Sequence, residues 1–292
     1  MRIAVTGVNG QLGSDVIKLL LSCDSDISVV PITRKECDLI SLESVRRFFN
    51  SIEFDVLINC AAYTNVEKAE VDADHCFLIN SKSSYELSSI CKAKGARFVH
   101  ISTDYVFDGK QRTPYTETDS PAPLNVYGAS KLMGESLART ECDDTLILRV
   151  ASLFGEKGAS GKGGNFITTI LRHAREKGKL SVVNDQWMSP TWTGDVAKMI
   201  LALLDKKAPA GIYHAVNSGV ASWFDLASYA CQLADVSVDI TPVSSTVYPT
   251  IATRPAYSVL DNSKLQSIIG NIDSWQDAFR SYMRRSLVLQ DL

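Results

Sequence analysis

Several features that mark other classes of protein are scarce or missing in this chain of 292 residues. No apolar run approaches the roughly 18 residues that a membrane-spanning helix needs. Lys and Arg total 30 and Asp and Glu total 33, a net charge of −3, so the basic surface typical of nucleic-acid-binding proteins is not expected. The apolar stretch at 3–5 is too short for the core of a secretory signal peptide. We therefore expect a cytoplasmic protein that binds neither membranes nor nucleic acids.

The cysteines and histidines lack the spacing of a metal or redox site. Seven cysteines are scattered between Cys23 and Cys231, and no Cys-x-x-Cys pair occurs. The histidines are far apart in sequence, at His75, His100, His173 and His214. Structural zinc sites usually take their ligands from closely spaced pairs, so we expect no bound metal. The cysteines are expected to be small buried apolar side chains in a reducing compartment.

Two kinds of apolar segment alternate through the first half of the chain. Short apolar runs, several of them β-branched, predict strands at 2–6, 27–32, 56–59, 97–102 and 145–150. Longer segments with helical spacing predict helices at 11–21, 42–52, 73–94 and 126–139. Strands that are apolar throughout are typical of a parallel sheet covered by helices on both faces. The alternation predicts a doubly wound parallel α/β domain over residues 1–150.

The second half of the chain is less regular. Five glycines fall within 155–164, and prolines at 242, 249 and 255 interrupt a later stretch. Helices are predicted at 165–177, 196–204, 223–234 and 275–285, with short strands at 180–183 and 212–214. We predict that residues 151–292 form mainly a smaller α+β lobe, with some chain returning to the first domain.

A glycine-rich turn follows the first predicted strand and opens the first predicted helix. Gly7, Gly10 and Gly13 are spaced Gly-x-x-Gly-x-x-Gly, and Asn9, Gln11 and Leu12 complete the turn. Glycines permit a tight turn and let a pyrophosphate approach the N–H groups of the helix. This turn therefore predicts a Rossmann-type dinucleotide site.

The end of the second predicted strand bears on the choice of dinucleotide. An acidic residue there would bind the free ribose hydroxyls of NADH, but the chain reads Thr33-Arg34-Lys35. A basic pair can accept the 2′-phosphate of NADPH, or it can be a solvated charge pair at a strand end. The cofactor is expected to be NADPH or NADH, with Arg34 as a candidate contact.

A second constellation has the residue types of an acid–base catalyst. Tyr127 and Lys131 are four residues apart on a predicted helix and so share one face. An ammonium beside a phenol favours the phenolate and lowers its pKa, which allows proton exchange at a carbonyl or hydroxyl oxygen. Ser102 and Thr103 end a predicted strand, where ligands of parallel sheets collect.

The segments TGVNGQLG (6–13), STDYVFDG (102–109) and PLNVYGASKLMGE (123–135) resemble the extended short-chain dehydrogenase/reductase family. Within it, the chain is similar to the dTDP-4-dehydrorhamnose reductase branch. Further matching stretches lie at 59–70, 182–197 and 254–265, so the resemblance spans nearly the whole chain. It implies reduction of the 4-keto group of dTDP-4-dehydrorhamnose to dTDP-L-rhamnose by NADPH or NADH. It also implies a sugar-nucleotide substrate and allows a homodimer.

The resemblance also implies roles for individual residues. Thr103, Tyr127 and Lys131 match the catalytic trio of the family. Lys131 would also anchor the nicotinamide ribose. The remaining cofactor contacts implied are Asp38, Leu39, Ala61, Ala62, Tyr63 and Asn80. The substrate contacts implied are Thr64, Val66, Thr103, Asp104 and Tyr105. On the far wall of the cleft, the charge and hydrogen-bonding needs of a diphosphate point to Asn165 and Arg254, with Lys162 on a 155–164 lid.

Two departures keep alternatives open. The family often has Arg-Thr-Ser-Trp after the sixth strand, whereas this chain reads Arg149-Val150-Ala151-Ser152-Leu153. The loss of the tryptophan leaves room for a sibling reductase that acts on another 4-keto-6-deoxy sugar nucleotide. A non-catalytic NADP-binding regulatory subunit, like the methionine adenosyltransferase β subunit, is a third reading, although the intact trio favours an enzyme. A dehydratase fits less well, because Tyr105 rather than a second carboxylate follows Asp104.

Overall fold

Strands and helices alternate in the first half of the chain and mix less regularly in the second. The computed structural model describes residues 1–23, 26–158 and 165–288. The strands are β1 (Arg2–Thr6), β2 (Ser28–Ile32), β3 (Val56–Asn59), β4 (Arg97–Thr103), β5 (Thr145–Val150), β6 (Leu153–Phe154), β7 (Lys179–Val183), β8 (Trp187–Met188), β9 (Thr191–Trp192), β10 (Gly211–His214), β11 (Ala221–Ser222) and β12 (Asp239–Val243). The helices are α1 (Gln11–Ser22), α2 (Leu42–Asn50), α3 (Val66–Ala69), α4 (Ala73–Phe77), α5 (Ser83–Lys94), α6 (Val126–Glu141), α7 (Phe166–Lys177), α8 (Thr193–Asp205), α9 (Trp223–Leu233), α10 (Ser263–Ile269) and α11 (Trp275–Val288).

The centre of the protein is a six-stranded sheet in the order β2-β1-β3-β4-β5-β10. Every neighbouring pair in it is parallel. The chain moves outward from β1 to β2 and then crosses to the other side of β1 to begin β3. Such a switch in direction opens a crevice at the carboxyl ends of the two central strands, where α/β proteins bind ligands. The predicted doubly wound α/β fold is confirmed.

Helices cover both faces of this sheet. On one face α1 packs against α8, and their apolar sides meet β1 through Val5, Val16 and Leu203. On the other face α2, α5 and α6 pack side by side over Leu57 and Phe98. Because both faces are covered, the four central strands β1, β3, β4 and β5 are buried along nearly their whole length.

Chain from the second half contributes to both parts of the molecule. α8, β10 and α10 pack in the same core as α1 and the main sheet, and β10 pairs with β5 as the last strand of that sheet. A separate core joins α7, α9 and α11 through Ile167, Leu226 and Phe279. Beside it, β7 and β12 form a two-stranded parallel pair. None of the described helices is both long enough and apolar enough to cross a membrane.

The predicted helix over 73–94 is interrupted. α4 and α5 are separated by a wider π-helical turn over Leu78–Lys82. Such turns displace the side chains that follow from regular helical positions and occur often at functional sites. Here the turn places Asn80 against the loop that follows β3, where its amide binds the backbone of Tyr63. The apolar periodicity continues through the turn, which is why the sequence indicated one helix.

A buried ion pair joins the sheet to α6. The Arg149 guanidinium on β5 donates two hydrogen bonds to the Glu135 carboxylate on α6, at 2.9 and 2.7 Å. Ser102 at the end of β4 donates a third to the same carboxylate. The Arg149 and Glu135 side chains are 2% and 3% exposed, so neither charge has bulk water as an alternative partner. The pair therefore fixes the distance between α6 and the carboxyl ends of β4 and β5.

We expect Arg149→Met to destabilise the protein by about 3–5 kcal/mol, because it leaves the Glu135 carboxylate buried without its partner. Urea unfolding of the variant measures this. The control is Arg172→Met, which removes an exposed ion pair with Glu176 and should cost at most about 1 kcal/mol. Equal losses in the two variants would contradict the structural importance of the buried pair.

Candidate active site

The glycine turn after β1 is held against the loop that follows β3. Gly7 has φ +67°, a left-handed conformation that favours glycine, and a Cβ there would lie 2.7 Å from the backbone nitrogen of Ala61. A Cβ on Gly13 would overlap the Gly7 carbonyl oxygen. The turn closes with a 2.9 Å hydrogen bond from the Gly10 N–H to that same carbonyl. Gly7 and Gly13 are therefore required by close packing of backbone within the turn.

The N-terminus of α1 offers hydrogen-bond donors. Gly10 is its N-cap, and no side chain of the described residues caps the helix. The Gln11 Nε2 atom beside it is buried and has no hydrogen-bond partner in the described part of the chain. Leu12, by contrast, packs in the core, so only its backbone can face a ligand. Free N–H groups at a helix N-terminus favour an anion, which fits the predicted pyrophosphate site.

The ends of β1 and β2 border a cavity of about 680 Å³, lined by Asn9, Thr33, Arg34 and Lys35. The Arg34 Nε lies 3.4 Å from an Asp38 carboxylate oxygen, and both side chains are exposed. This contact links Arg34 to a residue four positions later in the chain. The adjacent Leu39 packs into the core, so its side chain supports the cavity from behind.

The loop after β3 is fixed by Asn80. The side-chain oxygen of Asn80 accepts from the Tyr63 N–H at 2.8 Å, and its nitrogen donates to the Tyr63 carbonyl at 3.1 Å. The same nitrogen lies 2.9 Å from the Ser130 hydroxyl on α6. The Asn80 amide is thus engaged within the protein, so its place in the structure is to hold the 61–63 loop. Ala61, Ala62 and Tyr63 remain half-buried beside the glycine turn, while Thr64 is exposed and Val66 half-buried at the start of α3.

Thr103, Tyr127 and Lys131 come together at the carboxyl end of β4. Asn125 caps α6 by accepting from the Gly128 N–H at 2.8 Å, so the helix starts at Val126, one residue before Tyr127. The Tyr127 phenol lies near Thr103, which acts to lower the pKa of the phenol. Lys131 lies one turn further along α6 and is 2% exposed. Their shared catalytic role remains the prediction made from the sequence.

Burial sets the electrostatics of this group. It raises the pKa of the Tyr127 phenol, an effect that the nearby Thr103 only partly offsets. Burial also lowers the pKa of Lys131 to about 8. The Lys131 Nζ points to the ring of His100, at 3.3 Å. In this arrangement the phenol is protonated at neutral pH, which differs from the phenolate that the Tyr-x-x-x-Lys spacing by itself favoured.

Asp104 and Tyr105 lie beside the trio. The Thr103 hydroxyl donates to Asp104 at 3.0 Å, and burial raises the pKa of this carboxyl to about 6. The other Asp104 oxygen is buried, without a partner among the described residues. The Tyr105 ring meets the Tyr127 ring edge to face, with 6.0 Å between centroids. Asp104 therefore contacts Thr103, and Tyr105 contacts Tyr127.

The far wall of the cleft differs from expectation at Asn165. Its side chain is the N-cap of α7, accepting from the Thr168 N–H at 2.9 Å, and its nitrogen donates to the Gly155 carbonyl at 2.8 Å. Both polar ends are taken, so the structure gives Asn165 a capping role instead of the expected substrate contact. Lys162 and most of the expected lid, residues 159–164, lie outside the described residues.

Arg254 does face the cleft. Its Nη2 donates to Glu67 on α3 at 2.9 Å, and its Nε is buried with no partner in the described ranges. It borders a cavity of about 700 Å³ in the second lobe. That cavity is lined mainly by apolar and aromatic side chains, among them Phe166, Ile170, Val182, Trp223 and Tyr248.

The profile of the RmlD substrate binding domain family matches residues 1–288. The chain belongs to this family. Two relatives are each 36% identical: a dTDP-4-dehydrorhamnose reductase of Burkholderia thailandensis, with 95% of this chain and 96% of the relative covered, and a dTDP-4-keto-6-deoxy-D-glucose reductase of Streptomyces niveus, with 95% and 91% covered. The solved structure of a dTDP-4-dehydrorhamnose reductase from Bacillus anthracis, in complex with NADP, is 33% identical. It superposes with a TM-score of 0.92 over 97% of this chain and 99% of that one.

The fold of this RmlD-family chain brings to the site residues to which the sequence patterns assigned no role. His100 on β4 contacts Lys131, and Asn59 on the neighbouring strand β3 contacts His100. Glu67 was part of a matched segment but was assigned no role. The signal for His100 was present, because a histidine three residues before Thr103 interrupts an otherwise apolar strand. Among the described residues, no cluster of three or more His, Cys, Asp or Glu side chains is placed to hold a metal ion.

Helix α6 of this family member approaches its neighbours closely at two glycines, and this close approach bears on stability. A Cβ on Gly128 would overlap the Tyr105 carbonyl, and one on Gly134 would overlap the Asn80 carbonyl. Gly→Ala inside a helix normally stabilises by about 1 kcal/mol. We expect Gly134→Ala to destabilise instead, by about 1–3 kcal/mol, because α6 must move outward.

Thermal and urea unfolding measure the sign of this change. The control is Ser136→Ala, at an exposed position of the same helix, which should change stability by only a few tenths of a kcal/mol. A more stable Gly134→Ala protein would show that α6 is not packed as closely as described.

Proposed function

We propose that this protein is an NADPH-dependent reductase that converts the 4-keto group of dTDP-4-dehydrorhamnose into the hydroxyl of dTDP-L-rhamnose. The observation that carries the proposal is the position of Thr103, Tyr127 and Lys131 at the carboxyl end of β4 and on the adjoining helix α6, one strand from the switch point of the sheet. The names of relatives that are 36% identical over nearly the whole chain support the same reaction.

The residues present fit a dinucleotide. The uncapped N-terminus of α1 and the unpartnered Gln11 amide suit the pyrophosphate, and Arg34 with Lys35 suits a 2′-phosphate. We assign the pyrophosphate to Gly7, Gly10 and Gly13 with the backbone of 9–12, and the adenosine end to Arg34, Asp38 and Leu39. The 61–63 loop borders the nicotinamide half. When bound, NADPH supplies the hydride.

The protein's own groups then manage the proton and the orientation of the ketone. Tyr127, whose pKa burial raises, holds its proton at neutral pH and donates it to the oxygen of the former ketone. The Thr103 hydroxyl orients that oxygen from the strand end. Lys131, buried one helical turn away, places a positive charge that stabilises the tyrosinate left after proton donation. Positioning and proton donation account for the chemistry.

The apolar cavity of the second lobe suits the nucleoside end of the substrate. Its aromatic walls Phe166 and Trp223 lie 4.7 Å apart between ring centroids and can contact a base. Arg254 stands between this cavity and Tyr105, where the diphosphate of a sugar nucleotide would pass. We assign Thr64, Val66, Asp104 and Tyr105 to contacts with the sugar. A cytoplasmic location remains a prediction from the composition of the chain, and a homodimer remains a prediction from the family resemblance.

A sibling 4-keto-6-deoxy sugar nucleotide is the second candidate substrate. Counted from Arg149, Ser152 stands where the family often has tryptophan, and the Streptomyces niveus relative is named for a different sugar at the same identity. Consumption of NADPH with a panel of dTDP-4-keto-6-deoxy sugars distinguishes the two. A protein that binds NADPH but oxidises it with no member of the panel would instead support a non-catalytic subunit.

We expect Tyr127→Phe to lower the turnover of the preferred sugar nucleotide by about 10²–10⁴-fold, because the proton donor is lost. Binding of NADPH, followed by fluorescence, should change little. Tyr85→Phe, on an exposed part of α5, is the matched control and should keep normal turnover. A Tyr127→Phe enzyme with turnover near that of the unmodified protein would remove Tyr127 from the mechanism.

We expect Arg34→Ala to lower the ratio of kcat/KM for NADPH over NADH by about tenfold, since a guanidinium pairs strongly with a 2′-phosphate. The loss should come from NADPH alone. Arg47→Ala, an exposed arginine on α2, should leave the ratio unchanged. If the ratio is the same in Arg34→Ala, that residue serves only as the exposed partner of Asp38.

A further inference from the structure

A line of polar side chains runs through the interior from the glycine turn to Lys131. Thr6, the last residue of β1, is 2.6 Å from the Asn59 side chain, between Thr6 Oγ1 and Asn59 Oδ1. Asn59, the last residue of β3, is 3.3 Å from His100, between Asn59 Nδ2 and His100 Nδ1. His100 on β4 is in turn 3.3 Å from Lys131, between His100 Nε2 and Lys131 Nζ. All four side chains are buried.

His100 is held as a neutral ring. It is 0% exposed, and it packs beside Phe98 with 5.8 Å between ring centroids. Burial and the neighbouring Lys131 keep the pKa of its imidazole well below the usual range. A neutral imidazole carries one N–H and one lone pair, so it can present an acceptor to an ammonium.

The line can offer a charged Lys131 one hydrogen-bond acceptor. Nζ donates to Nε2 of His100, and the ring proton on Nδ1 then faces Asn59. This requires the Asn59 amide to be turned by 180° from the orientation given above, in which its oxygen faces Thr6 and its nitrogen faces His100. In the turned orientation the amide oxygen accepts from the Nδ1 proton and the amide nitrogen donates to the Thr6 hydroxyl. The Thr6 oxygen also accepts from the Ala61 N–H at 3.3 Å, beside the glycine turn. The lysine is therefore tied through three strands to the turn proposed to hold the pyrophosphate.

We propose that His100 is the positioning residue of Lys131: it presents its Nε2 lone pair to the ammonium, and Asn59 holds the ring in that orientation. This inference deepens the proposed function and rests on it for the role of Lys131. Because the line ends at Thr6, which is itself buried, it holds a proton in place and is not a path to solvent.

The other groups near Lys131 do not replace His100 as the hydrogen-bond acceptor of its ammonium. Burial disfavours its charge, whereas Glu135 on the same helix, Cys76 on α4 and Cys60 after β3 act in the opposite direction through their charges. Glu135 is already engaged by Arg149 and Ser102, and burial raises the pKa values of both thiols. The His100 Nε2 is the hydrogen-bond partner that the structure gives to Nζ.

A matched pair of variants tests the acceptor. His100→Gln places an amide that can offer an oxygen near the Nε2 position, and His100→Met fills a similar shape without a comparable acceptor. We expect His100→Met to lower kcat by about 10–100-fold with KM for the sugar nucleotide little changed. His100→Gln should recover at least part of that loss. The alkaline limb of kcat should move to lower pH by about one unit in His100→Met, because the ammonium loses its acceptor.

A second readout does not depend on any reaction. The protein is labelled with ¹³C at the lysine ε carbons, and the Lys131 signal is assigned from its loss in Lys131→Arg. In the unmodified protein this lysine should titrate near the value of about 8 that its burial produces. His100→Met should titrate about one unit lower, and His100→Gln between the two.

Each outcome decides the proposal. A Lys131 titration that is the same in all three proteins overturns it, as does an equal loss of kcat and Tm in both variants with no movement of the pH limb. If His100→Met does not fold, Asn59→Leu, which frees the ring, must lower the Lys131 titration, and no change there also overturns it. Absence of any reductase activity in the unmodified protein would refute the proposed function, while the lysine titration would still test His100.

Discussion

The close approach of α6 to the segment that follows β4 and to the π-helical turn at Leu78–Lys82 is the constraint on which the site depends. Gly128 and Gly134 carry no Cβ where the carbonyls of Tyr105 and Asn80 come nearest. The Arg149–Glu135 pair holds the helix to β5 from beneath. A helix even slightly further out would separate Tyr127 from Thr103 and Lys131 from His100. The catalytic arrangement therefore depends first on close packing of the backbone and only then on the chemistry of the side chains.

Burial then gives these side chains their chemical character. The same desolvation that raises the pKa of the Tyr127 phenol lowers that of Lys131 and keeps His100 neutral. A protonated phenol suits donation to a new alkoxide, which is the direction of a reductase. The neutral imidazole suits an ammonium that needs an acceptor but has little water nearby. One physical cause therefore prepares three groups for different tasks.

The second lobe completes a cleft whose two walls have different chemistry. The sheet side carries the polar reactive group, and the lobe side carries an apolar, aromatic cavity. Arg254 connects them, since it reaches across to Glu67 on α3 and stands beside Tyr105. That division matches a sugar nucleotide, which has a reactive sugar at one end, a flat base at the other and a diphosphate between them.

The sequence by itself determined the sheet, the glycine turn and the Thr103–Tyr127–Lys131 group, because each follows from local spacing or from strand periodicity. Tertiary structure alone decided the rest. The break at Leu78–Lys82 lies inside unbroken helical periodicity, and β10 joins the main sheet from a distant part of the chain. Asn165 became a helix cap because its side chain is closer to its own helix than to the cleft. His100 acquired its importance only when β4 and α6 came together. Contacts between residues far apart in sequence depend on the closed packing of the whole chain, which no local pattern encodes.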